Sequence, residues 1–228
     1  MPDVPPDARW PRLLSLSVHE FRTPLSVVAG YISMLLTNRA GPLSEAQRKL
    51  LEEAQKSCAR LTEILKELSD LGNLEDGKAP MARQTADLRA ILKSASAQAS
   101  ALPHSEVRVT VESGDGAATI QADAPRLTQA FTSIFAALRK EVITTDELLV
   151  RERRTDGKSP RYEITVGDRD TIAAIEASSD APQPFDEYRG GSGMALPVAS
   201  RIITAHGGQL LAPPGGRKSG ARILIPAC

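Results

Sequence analysis

Across residues 10–39 the apolar positions Leu14, Val18, Phe21, Leu25, Val28, Ile32 and Leu35 recur at alternating steps of four and three. That heptad predicts a long helix with one packing seam. Ala40-Gly41-Pro42 stops it, and Ser44 followed by Gln47 three residues later has the form of a capping box. A second helix is therefore expected to about residue 71, with Leu51, Ala54, Cys58, Leu61, Leu65 and Leu68 at three/four steps. The two helices make an antiparallel hairpin over residues 9–72 whose apolar seam one copy cannot cover. Pairing with a second copy gives a four-helix bundle and predicts a homodimer. The competing arrangement packs the hairpin on the chain's own C-terminal domain.

Residues 1–8 read as a disordered Pro-rich arm, and residues 73–82, with Gly77 and Pro80, as a linker. Beyond the linker the periodicity turns mixed. Helices are expected at 87–102, 125–142 and 195–206, and strands at 107–112, 119–122, 147–152, 162–166, 209–211 and 222–225. Residues 83–228 thus form a sandwich of a sheet and helices, and the whole chain belongs to the α+β class.

Composition narrows the function. Lysine plus arginine and aspartate plus glutamate number 28 each in 228 residues, so no basic field invites nucleic acid. Cys58 and Cys228 are the two cysteines; neither has metal-ligand spacing and no metal site is expected, which fits a reducing cytoplasm. No apolar run approaches the roughly 20 residues of a membrane span, and the Pro- and Asp-rich start is not a signal peptide. A cytoplasmic protein is expected.

The chemistry concentrates in Ser17 to Leu25, Ser-Val-His-Glu-Phe-Arg-Thr-Pro-Leu. At helical spacing His19 and Thr23 share a face one turn apart, and Glu20 adjoins the imidazole. An imidazole nitrogen is a competent nucleophile toward a phosphoryl group when a carboxylate shares the proton on the other nitrogen. Pro24 cannot donate to the Glu20 carbonyl, so a bend is expected there. A lone histidine on a helix is ordinarily just solvated; an unbroken run of such neighbours reverses that reading.

This run resembles the phosphoacceptor box of the two-component sensor histidine kinases, His-Glu-x-Arg-Thr-Pro-Leu. The resemblance implies that His19 is the phosphoacceptor, Glu20 its base and orienting group, and Thr23 the residue that positions a phosphatase water. It also implies a response-regulator receiver domain as partner. Only 18 residues precede His19. A separate sensor protein is therefore expected to supply the signal, unless the chain is cut from a longer sensor.

The same resemblance implies that residues 83–228 are an ATP-binding domain of the histidine kinase type, with ATP and Mg²⁺ as cofactors. Its boxes occur in order but with altered chemistry. In the segment 126–140, similar to the N box, the two asparagine positions hold Ser133 and Ala137. Alanine offers Mg²⁺ no oxygen. Asp168-Arg-Asp-Thr-Ile172 keeps the adenine-binding aspartate, Asp168, but Asp170 and Ile172 replace its glycines. Phe185-Asp-Glu-Tyr188 resembles the aromatic box, and Gly190 to Leu196 the glycine box, in which Gly191 and Gly193 would border a phosphate path. His206-Gly207-Gly208 matches the turn into the last hairpin, with His206 structural, and His104 has no pattern behind it.

Three functions follow. The first is a phosphorelay protein that exchanges a phosphoryl group between His19 and a regulator aspartate, by phosphotransfer or phosphatase action, with its own ATP-dependent autophosphorylation lost. The second is a cytoplasmic autokinase with an atypical ATP site. The third is a pseudokinase that only docks a regulator.

Overall fold

A computed structural model of the protein describes residues 10–77, 79–103, 106–114, 116–142, 145–157, 159–178, 181, 183–189, 193–213 and 220–228. The expected arm at 1–8, His104, Gly190 and Gly191 lie outside these residues. Two compact units divide the chain, Met1–Ala79 and Pro80–Cys228.

The first unit is a helical hairpin of α1 (Trp10–Leu36) and α2 (Glu45–Glu75). The Ser44 hydroxyl accepts from the Gln47 N–H at 3.3 Å, and the Gln47 side chain accepts from the Ser44 N–H at 2.8 Å, closing the expected capping box. α1 ends three residues sooner than its periodicity predicts. Asn38 turns left-handed at φ 56°, and Arg48 donates to the Leu36 carbonyl and to Asn38 Oδ1, both at 3.2 Å, satisfying the helix end from across the turn. At the other end, α2 passes Gly72 and enters the expected linker. Leu71 and Gly72 are buried, and a Cβ on Gly72 would stand 3.5 Å from Leu14, so packing on α1 carries the helix through the glycine.

The seam is narrower than the heptad. Val18, Ile32, Cys58, Leu65 and Leu71 are buried, while Phe21 is 62% and Val28 49% exposed. These two join Leu13, Leu16, Tyr31 and Met34 in an apolar stretch of α1 that α2 leaves uncovered.

The second unit opens with β1 (Gln84–Asp87), α3 (Leu88–Ala101), β2 (Arg108–Glu112), β3 (Thr119–Ala122), α4 (Ala124–Arg139), β4 (Glu147–Thr155) and β5 (Arg161–Asp168). It closes with α5 (Ile172–Ala177), β6 (Gln183–Pro184), α6 (Ala195–Ala205), β7 (Gln209–Ala212) and β8 (Ala221–Pro226). The main sheet runs β2-β4-β5-β8-β7-β6; β2 lies parallel to β4 and the remaining pairs are antiparallel. β1 and β3 form a separate antiparallel pair. α4 packs between α3 and α6. Their buried faces, with Leu92, Leu127, Ile134 and the stacked Phe131 and Phe135 rings 5.8 Å apart, meet Leu148, Val150, Ile164 and Val166 of the sheet.

Three elements absent from the sequence reading are short: β1, α5 and β6. Gly208 is required at the His206–Gly208 turn, because a Cβ there would stand 2.5 Å from the Leu224 carbonyl oxygen. On β5, burial alone would raise the carboxyl of Glu163. Arg153 and Arg222, each donating at 2.8 Å, overturn that and hold it below the ordinary carboxylate range.

Candidate functional site

His19 follows the buried Val18 by one position, and that offset turns its ring out of the seam into solvent. Its Nδ1 lies 3.6 Å from Glu20 Oε1, with the two side chains 76% and 71% exposed. The separation is within ion-pair range and just beyond a hydrogen bond. Thr23, one turn on, is also exposed, and α1 runs unbroken through Pro24. The Ser26 hydroxyl donates to the Arg22 carbonyl at 2.9 Å and the Ser17 hydroxyl to the Leu13 carbonyl at 2.8 Å. Both serines thereby turn their side chains back onto the helix that carries the box. Toward the end of α2, His19 borders a cleft of about 410 Å³ with Arg12, Ser15, Leu16, Asn73 and Asp76. An imidazole so presented is free to meet a phosphoryl group on another macromolecule, with a carboxylate beside its second nitrogen.

The nucleotide-box positions all fall in the second unit. Ser133 is half-buried on α4 and borders an outer groove with Ser94 and Gln98 of α3, while Ala137 is 2% exposed in the core. Asp168 is 5% exposed, and its Oδ1 accepts from the Asp170 N–H at 3.1 Å, the Thr171 N–H at 2.8 Å and the Thr171 hydroxyl at 2.7 Å. That oxygen thus closes its own turn as an Asx cap. Ile172 and Ile175, the apolar pair of α5, are 1% and 0% exposed. They press on Gly167, where a Cβ would stand 3.1 Å from Ile175 Cδ1. Gly193, at φ 60°, stands two residues before α6, whose N-cap Met194 makes no side-chain cap bond. Gly191 lies outside the described residues.

Two features here were not read from the sequence. Arg189 donates to Glu141 at 2.9 Å and stacks 4.9 Å from the Phe185 ring centroid, fastening the aromatic box to the end of α4. The Ile172/Ile175 spacing was the visible signal for α5. Among the described residues no cluster of three or more metal-ligating side chains occurs, and no helix is long and apolar enough to cross a membrane.

The described residues thus comprise a two-helix hairpin with an exposed histidine and, after it in sequence, a sandwich of helices on a sheet. Residues 12–77 match the His Kinase A (phospho-acceptor) domain. The circadian input-output histidine kinase CikA of Synechococcus elongatus is 25% identical, over 93% of this chain and 29% of its own. The sensor protein TorS of Escherichia coli is 28% identical, over 87% of this chain and 22% of its own. Among solved structures, full-length ShkA in complex with AMPPNP matches with a TM-score of 0.65 at 22% identity, covering 95% of this chain and 45% of that one. The Acinetobacter baumannii histidine kinase AdeS matches at 0.53 and 17% identity, covering 92% of this chain and 96% of that one. Residues 12–77 thus carry the His Kinase A (phospho-acceptor) domain, and the chain as a whole is similar to two-component sensor histidine kinases. It spans less than a third of the length of these curated relatives.

Proposed function

We propose that this chain is a homodimeric phosphotransfer protein of a two-component pathway, exchanging a phosphoryl group between His19 and a receiver-domain aspartate rather than drawing it from ATP. The observation that carries the reading is an asymmetry. The acceptor box is complete and exposed, while Ala137 and Ile172, at two positions where the nucleotide boxes need an oxygen and a glycine, are core residues. These residues do not fit a Mg²⁺-triphosphate, so no step is routed through one.

In the transfer, Nε2 of His19 attacks the phosphorus of a phosphoaspartate. The N–P bond forms as the P–O bond to the aspartate breaks, and the aspartate carboxylate leaves with the electron pair. The ring gains positive charge, and Glu20, beside Nδ1, orients it and takes up the Nδ1 proton. The 3.6 Å separation closes to a hydrogen bond by a small rotation of either exposed side chain. In the phosphatase reaction, Thr23 holds a water toward the regulator's phosphoaspartate; the water oxygen bonds to phosphorus as the P–O bond to the aspartate breaks, releasing inorganic phosphate and the free carboxylate. Phe21, Val28 and Tyr31 support the dimer, since a second hairpin would cover the apolar stretch that α2 leaves open. Cys58 and Cys228 are free thiols, which suits a place in the reducing cytoplasm.

The test is a pair of labelling reactions, one with γ-labelled ATP and Mg²⁺, the other with a receiver domain charged by labelled acetyl phosphate and desalted. Label on the wild type from the receiver but not from ATP, and absent in His19→Ala, is the expected pattern. Label from ATP would establish an autokinase. Labelling from neither source, with cognate receivers tried, would leave docking as the function.

A further inference from the structure

His206 takes no part in phosphotransfer, yet both of its ring nitrogens are engaged at 6% exposure. Nδ1 lies 2.7 Å from the Ile202 carbonyl oxygen, one helical turn back. A carbonyl has no proton to give, so Nδ1 carries the hydrogen and donates it. Nε2 is then the acceptor, and the backbone N–H of Asp123 donates to it at 3.0 Å. Asp123 is in turn the N-cap of α4: Oδ1 accepts from the Arg126 N–H at 3.2 Å and Oδ2 from the Ala82 N–H at 3.0 Å. The guanidinium of Arg83 donates to the Ala205 carbonyl, next to His206. The first residues of the second unit are therefore fastened at Ala82 and Arg83 to the two residues that flank and face one imidazole.

A second proton on His206 has one place to go, Nε2, where it points at the Asp123 N–H. Two donors then face each other at 3.0 Å, and the bond cannot persist. The charged groups facing the ring are Arg83, Asp123 and Arg126. Both arginines oppose an imidazolium. Asp123 favours it, but its two oxygens are committed to the Ala82 and Arg126 amides while the arrangement is closed. The imidazolium gains that carboxylate only by displacing one of them.

We propose that His206 is a proton-operated clasp: uptake of one proton at Nε2 breaks the His206–Asp123 bond and releases residues 80–83 from the start of α4. In the closed state burial, first, and the two arginines hold the imidazole below its ordinary range, so the clasp stays shut at neutral pH and opens on acidification. The segment it releases is the one through which the chain passes from the helical unit into the α/β unit.

Amide exchange at Ala82, corrected for the intrinsic pH dependence of exchange, tests this on the full chain. Between the pKa of the freed and of the clasped imidazole, opening rises by about tenfold per pH unit of acidification. Ala82 protection is expected to fall at that slope as the pH drops below about 6.5, together with the His206 ring resonance, identified by its loss in His206→Gln. In that variant the amide oxygen still accepts from Asp123, and protection at Ala82 is expected to stay flat. Protection that is unchanged while His206 protonates, or that falls equally in His206→Gln, overturns the proposal. If His206→Gln does not fold, the His206 resonance is the one that persists in both His19→Ala and His104→Ala. The coincidence of the two wild-type midpoints decides independently, because midpoints that separate exclude His206 as the trigger.

Discussion

Nucleotide binding offers the most direct test of the asymmetry between the two halves of the chain. A ligand that binds only the native state stabilises it by RT ln(1 + [L]/Kd), about 2.7 kcal/mol at a concentration of 100 Kd. For a unit of this size each kcal/mol moves the melting temperature by roughly 2–4 °C. An intact nucleotide site would therefore shift the α/β transition by about 5–10 °C in saturating ATP and Mg²⁺. The expected shift is none, with ADP or ATP, since Ala137 has no oxygen for the metal and Ile172 sits in the core at 1% exposure. Ile172→Ala extends the test by creating a cavity at the same place, at a cost of about 2–4 kcal/mol of stability. That variant should melt earlier and still show no nucleotide shift, because space alone restores no metal ligand. Differential scanning fluorimetry with matched Mg²⁺ controls reads both effects. A shift of several degrees in the wild type that disappears in Asp168→Asn would refute the reasoning, by showing that the boxes still work together despite their substitutions.

Other expectations are more local. Thr23→Ala should accept label from a charged receiver as the wild type does, yet slow the loss of phosphate from that receiver by about 10- to 100-fold in a time course. Replacing Val28 and Tyr31 together by glutamate should weaken dimerisation by about 30- to 1000-fold in sedimentation velocity, since each covered apolar side chain contributes about 1–2 kcal/mol. Folding stability should also depend on His206. Its imidazole is depressed in the native state from the ordinary 6.5, so below that pH the unfolded chain binds more protons and the native state loses stability; above it the linkage vanishes. Chemical denaturation at a series of pH values should show that loss in the wild type and not in His206→Gln.

How far the sequence carried depends on the length of each element. The two hairpin helices announced themselves because seven-residue periodicity repeats over many turns, and Ser44 with Gln47 marked a boundary by a reciprocal pair of bonds. Phe21 and Val28 were placed in the seam by the same heptad but stand exposed, because one antiparallel neighbour covers a narrower arc of α1 than the heptad fills. Gly72 reads locally as a helix stop, and only the turn of α1 packed against it, through Leu14 and Pro11, makes a continuing helix favourable. α5 spans six residues with one i, i+3 apolar pair, too little for periodicity to register. β1 is largely exposed and β6 holds two residues, so neither has an alternation to read. The acceptor side chains were legible because adjacency in sequence is adjacency on a helix. The Arg189–Glu141 clamp joins residues 48 apart and was not.

The same contrast bears on what the second unit is for. A nucleotide site tends to leave glycines, unpaired helix ends and unfilled space for its ligand, at a cost in stability when the ligand is absent. On the function proposed above that space is filled from within the chain: Ile172 and Ile175 enter the core, the Asp168 Oδ1 caps its own turn, and Arg189 pairs with Glu141 while stacking on Phe185. Each of these contacts is made within the chain and contributes to the unit's own stability. The hairpin shows the opposite economy, leaving His19 and Glu20 in solvent and a row of large apolar side chains of α1 that α2 does not cover. On the function proposed above, the sandwich stabilises itself and the hairpin is completed by a partner, with the chemistry on the hairpin.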